Sequence, residues 1–147
     1  MTTIAYRDGV MAADSMITSN DEWIMPYRCP KILRLPNRAL VGFSGNLYLQ
    51  NKFVEWLSVG GYPQPDLKDT SKAIVAESNG DVRLYQYEGY AIIEAPFFAI
   101  GCGTIPAMAA MHMGASAKRA IEIASILDNA TGGEIQIEEL DSKRMRE

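Results

Sequence analysis

The sequence predicts an α+β fold in which two antiparallel sheets lie between helical layers. Three observations carry this. Short alternating apolar runs, separated by turn dipeptides, fill the first 44 residues and return between 72 and 101. One helical pattern stands between these two groups, so helices can cover both outer faces. Two more helical patterns and a final alternating run close the chain.

Each element has its own signal. "TTIAYR" alternates, Asp8-Gly9 is a two-residue hairpin turn, and "VMAAD" returns antiparallel. A second hairpin is expected around "SND" at 19–21, followed by "WIM". "KILRL", a "PNR" turn at 36–38 and "ALVGF" form another pair, with Ser44 near the cap of the next helix. Leu47, Leu49, Phe53, Val54, Trp56 and Leu57 fall at helical spacing, and Gly60-Gly61 end that helix. "YPQPDLKD" reads as a loop, and "SKAIVAES-NG-DVRLYQY" as a hairpin. "YAIIEA" and "FFAIG" are further strands. The stretch 104–129 is helical with a break at "GAS" (114–116), and "GEIQIEEL" is the last strand. Residues 1–147 read as one domain without repeats or a linker.

Composition excludes several function classes. The 147 residues carry a net charge of −4 and no Lys/Arg cluster, which argues against a nucleic-acid surface. No apolar run reaches the length of a membrane span, and no secretory signal pattern opens the chain. Cys29 and Cys102 are too few for a disulfide framework and are expected as reduced thiols of a cytoplasmic protein. The single histidine, His112, lies among Met and Ala on a helix, and its expected role is structural. Without CxxC or HExxH, neither a metal nor another cofactor is expected. A hydrolase built from this chain must find its base elsewhere than in histidine.

Four stretches recur in a known order: "TTI…DGVMAAD" at the start, "PKILRL" followed by "GFSG", "AIGCG" ahead of the first late helix, and "LDNATGG" after the second. Together they resemble the proteasome β-subunit family of N-terminal-nucleophile hydrolases, in particular the HslV-type peptidase. Order and spacing hold over essentially the whole chain. Taken singly, Thr2 and Thr3 are β-formers, Asp14 is a strand-ending residue, Lys31 an exposed lysine, and Cys102 a small buried hydrophobe. Their joint occurrence carries the likeness.

The resemblance implies a four-layer αββα sandwich and a threonine-type endopeptidase acting on peptide or unfolded protein. Thr2 corresponds to the nucleophile once Met1 is removed, as aminopeptidases readily do before a small residue. Lys31 corresponds to the lysine beside it, Asp14 to that lysine's carboxylate, and Gly45 to the oxyanion donor. Asp128 and Thr131 match the pair that holds the N-terminus. Cys102, followed by Gly103, stands where the family has serine. A homo-oligomer and an ATPase unfoldase partner are also implied.

The chemistry is coherent on its own terms. A threonine hydroxyl needs a base, and an α-amine with a pKa of about 7.7–8.0 can be one. A lysine nearby favours the neutral amine and the alkoxide, and must itself be compensated. Three departures stand out. Cys102 replaces a good hydroxyl donor with a weak one. The loop from Gly60 to Asp69 leaves the family's second helix reduced or absent. A retained Met1 leaves Thr2 without a free amine. A non-catalytic assembly protein with this fold, or a small-molecule amidase, remains the alternative reading.

Overall fold

The computed structural model describes residues 2–15, 18–19, 22–23, 30–61, 63–128 and 131–140. Met1, Cys29, the tip of the "SND" turn and the tail after 140 lie outside them. The described elements form the expected four layers.

The first sheet comprises β1 (Thr3–Arg7), β2 (Val10–Ala13), β10 (Phe97–Gly101) and β11 (Gln136–Glu139), in the order β10-β1-β2-β11. All its pairings are antiparallel. The β1–β2 turn is tight because Asp8 and Gly9 both take positive φ, 53° and 78°, the geometry that matches strand twist. The second sheet comprises β5 (Ile32–Arg34), β6 (Leu40–Ser44), β7 (Lys72–Ala76), β8 (Val82–Gln86) and β9 (Gly89–Ile92), in sequence order. The short pair β3 (Thr18–Ser19) and β4 (Glu22–Trp23) stands apart from both.

Period-2 alternation divides the apolar residues between layers. Ile4, Met11, Ile32, Leu40, Ile74 and Ile100 meet between the sheets. Ala5, Ala12 and Ala99 turn outward under α2 (Thr104–His112) and α3 (Ala117–Leu127). Alanines on both sides, with Ala117, Ala120 and Ala124 on α3, let this helix pair approach the sheet closely. On the opposite face, α1 (Leu47–Val59) sets Phe53 against Phe43 and Tyr85. The break between α2 and α3 falls where "GAS" placed it, and His112 lies exposed, edge-on to Phe97.

Two details differ from the sequence reading. Asn46, not Ser44, caps α1: its side-chain oxygen accepts from Tyr48 N–H at 2.8 Å and Leu49 N–H at 3.3 Å. Ser44 ends β6 instead. The α3 helix ends at Leu127, with Asp128 already extended, short of the helical stretch expected to 129. No second helix follows α1 among the described residues. Its place is taken by a loop pinned by Leu67, which is fully buried and whose N–H donates to Tyr87 O at 2.9 Å.

Candidate active site

The open end of the β1–β2 hairpin is closed by Asp14. Thr3 N–H donates to its Oδ1 at 3.0 Å, and Asp14 N–H donates back to Thr3 O at 3.2 Å. Lys31 Nζ donates to the same Oδ1 at 2.9 Å, and Gly132 N–H to Oδ2 at 3.1 Å. One buried carboxylate therefore joins three chain segments distant in sequence. Both members of the pair are nearly inaccessible, at 6% and 0% side-chain exposure. Burial pushes the Lys31 ammonium below the ordinary lysine value, and the Asp14 charge and hydrogen bond restore part of that shift.

Lys31 is held by its backbone as well. Its carbonyl accepts from Phe43 N–H at 3.0 Å. Its N–H donates to Gln136 Oε1 at 3.0 Å, which also takes Ile32 N–H at 3.3 Å, while Gln136 Nε2 returns a bond to Ile32 O at 2.8 Å. The glutamine amide thus acts as a strand partner for the start of β5. Sequence reasoning missed this residue, because a glutamine in an alternating run reads as an outward polar position.

Thr3, rather than Thr2, is the buried hub. It is 0% exposed; its Oγ1 accepts Gly103 N–H at 2.9 Å and lies 2.7 Å from Thr131 Oγ1. Thr131 Oγ1 donates in turn to Asp128 Oδ2 at 2.5 Å. Gly103 permits this approach, since a Cβ there would fall 2.6 Å from Thr3 Oγ1. Asp128 and Thr131 are thus tied to the chain start through residue 3. Thr3→Val keeps the shape but strands the Gly103 N–H and removes the hydroxyl beside Thr131, which keeps its bond to Asp128. The expected loss is about 1–3 kcal/mol in denaturant unfolding, as for other buried unsatisfied donors; an unchanged midpoint would show that the hub contributes nothing.

Thr2 is half-buried, ahead of β1, and its carbonyl accepts Cys102 N–H at 3.0 Å. Thr3, the first residue of β1, shares the face of Ala5 and is turned to the helices. Cys102 Sγ stands 3.7 Å from Thr2 O and from Thr3 Oγ1, and 3.6 Å from Thr131 Oγ1. The residue is exposed along the cleft rather than buried as a plain hydrophobe. Burial of the sulfur, followed by the Asp128 carboxylate, pushes its thiol above the ordinary cysteine value. At neutral pH it is a thiol, and a weak nucleophile.

Gly45 follows β6 with φ of 137° and is exposed. Phe43 N–H already points to the β5 edge and Lys31, so the N–H two residues on faces the same edge. No acceptor engages it among the described residues. A cleft of about 420 Å³ is lined by Ser44, Thr70, Lys72, Phe98, Cys102 and Met108 among others, and its lining includes none of Thr2, Asp14, Lys31 and Gly45. A larger groove of about 620 Å³, around Trp56 and Pro63, contains none of the candidate site residues. Among the described residues no cluster of three His, Cys, Asp or Glu side chains could hold a metal, and no helix is long and apolar enough to cross a membrane.

No family model and no curated protein matches this sequence. Solved structures do match by fold. BPH of Thiobacillus denitrificans, in a structure with epoxomicin, superposes with a TM-score of 0.64 over 95% of this chain and 98% of its own, at 17% identity. The eukaryotic HslV of Trypanosoma brucei gives 0.64 over 92% and 97%, at 18% identity. The fold is that of the HslV-type peptidases. At this identity the likeness concerns architecture.

Proposed function

We propose that this protein is a threonine-type peptidase of the proteasome/HslV kind, cleaving peptide bonds by acyl transfer to Thr2 once Met1 has been removed. The observation that carries the reading is the buried Lys31–Asp14 pair, locked to residue 3 at the chain start. Thr2 Oγ attacks the substrate carbonyl while its proton passes to the freed α-amine. The Gly45 N–H receives the negative charge that develops on the carbonyl oxygen. Collapse breaks the C–N bond, and the ammonium returns its proton to the departing amine. Water then hydrolyses the ester and regenerates Thr2.

Lys31 keeps the amine neutral and stabilises the alkoxide by its charge, and Asp14 holds Lys31 in place. Asp128 and Thr131 act through Thr3, fixing the backbone from which Thr2 projects. The raised thiol of Cys102 speaks against cysteine as the nucleophile. Assembly into a cytoplasmic homo-oligomer served by an ATPase unfoldase belongs to the same proposal. Ile105 on α2 and Ile126 and Leu127 on α3 are large apolar side chains left exposed, which a second copy could cover.

One sample tests the reading. Intact mass of the purified chain is expected to lack Met1 and to rise by one inhibitor mass on incubation with a peptide epoxyketone, the class to which epoxomicin belongs. Native mass of the same sample reads the oligomer. An unprocessed, unlabelled chain would remove the peptidase proposal, and a strictly monomeric native mass would remove the assembly.

A further inference from the structure

Ser71 is almost wholly buried, at 1% exposure, yet it is a polar residue to which sequence reasoning assigned no role. It lies one residue before β7, and the last β6–β7 pair is Ser44 with Lys72. Continuing that register sets Ser71 opposite Gly45. There the side chain takes over from the ladder: Ser71 Oγ accepts the Asn46 N–H at 3.1 Å. The fit is close. A Cβ on residue 45 would fall 2.2 Å from Ser71 Oγ and 2.7 Å from its Cα. Glycine at 45 is therefore required by this serine as well as by its φ of 137°.

The entry to α1 has two consecutive N–H groups, at Gly45 and Asn46, that the helix does not use. Both could serve an anion if the peptide between them were free to turn. Ser71 removes that ambiguity by taking the Asn46 donor into the protein, so that the plane of the Gly45–Asn46 peptide is fixed. The Gly45 N–H belongs to the preceding Ser44–Gly45 peptide at the end of β6, and the close approach of Ser71 to residue 45 leaves that glycine little room to shift.

We infer that Ser71 is the positioning residue of the oxyanion donor, leaving the Gly45 N–H as the one available to substrate by sequestering that of Asn46. This rests on the role proposed for Gly45 above. The physical reason is that a preorganised donor acts only if it is already aimed where charge develops, and a displacement of about 1 Å can cost about a hundredfold.

The test is Ser71→Ala, read in two ways. Amide hydrogen exchange on the whole chain is expected to be at least about tenfold faster at Asn46, with Val41 and Ile74 in the adjoining strands unchanged. Peptide turnover is expected to lose about tenfold to a hundredfold in kcat with little change in KM, because the lost interaction belongs to the transition state. Epoxyketone labelling should slow by a similar factor. Asn46 exchange that does not change overturns the anchor whatever the activity. Faster exchange with unchanged kcat overturns the positioning role. If the parent chain neither turns over peptide nor labels, the peptidase reading fails, and so does the positioning role built on it, while Asn46 exchange still decides whether the anchor exists. Should Ser71→Ala fail to fold, Ser71→Cys keeps the side-chain volume with a weaker acceptor, and the same exchange measurement decides.

Discussion

Thr2→Ala is expected to abolish peptide turnover, with a loss of about 10⁴-fold or more in kcat, while the unfolding midpoint stays near that of the parent. The fold should survive because the buried hydrogen bonds of the chain start belong to Thr3: its Oγ1 holds Gly103 N–H and Thr131, and its N–H holds Asp14. What Thr2 contributes to that framework is its carbonyl, which accepts from Cys102 N–H and is unaffected by the substitution. Thr2→Ser keeps hydroxyl and amine and should retain measurable activity. An additional residue fused ahead of Thr2 should be as harmful as Thr2→Ala, because it converts the amine to an amide that cannot take a proton. Steady-state peptide hydrolysis by the four proteins decides the matter. If the blocked chain cleaves as fast as the processed one, the α-amine is not the base.

Asp14→Asn is expected to be the most destabilising single change in the site, by about 3–5 kcal/mol, the range for removing one partner of a buried ion pair. The carboxylate takes donors from Thr3 N–H, Lys31 Nζ and Gly132 N–H. An amide has one oxygen, so its NH₂ must face a donor, and the Lys31 ammonium loses its carboxylate. Lys31→Met should cost less, because Asp14 keeps two backbone donors, yet it should approach Thr2→Ala in lost activity. Urea unfolding and peptide hydrolysis on both variants separate these effects.

The pH dependence gives a signed check on the same pair. Lys31 already titrates below the ordinary lysine value through burial, and Asp14 opposes that shift. Without the Asp14 charge its value falls further. Above it, the folded variant holds a neutral Lys31 while the unfolded chain still binds that proton, so the variant gains stability relative to the parent as pH rises. The alkaline limb of any residual activity should move to lower pH for the same reason. A deficit that grows with pH would contradict a lysine whose ammonium is the strained species.

Much of the fold was legible because it rests on local patterns. Alternation set β1, β2, β6 and β7, the Asp8-Gly9 turn set the first hairpin, and the spacing of Phe53, Val54 and Trp56 set α1. The broken pattern at 114–116 separated α2 from α3. Boundary details were less legible. Ser44 and Asn46 both suit a cap, and only the course of the chain after β6 chose Asn46. A residue such as Leu67 is apolar in a polar loop and gives no sign that it will be the plug replacing a helix.

The site divides in the same way. The sequence by itself determined which residue types are available: threonines at the start, one lysine after Pro30, one acid after the first hairpin, and no usable histidine. It also carried the spacing that resembles a peptidase family. Only the tertiary structure decided how those residues share the work. Thr3 became the buried hub and Thr2 stayed half-buried ahead of the strand, because Thr3 shares the β1 face that packs under the helices. Gln136 and Ser71 acquired their contacts from segments at least 25 residues away in sequence, where no local period can register them. Hydrogen bonds between side chains and distant backbone depend on how sheets and helices stack, and that stacking is a property of the packed layers rather than of any run of residues.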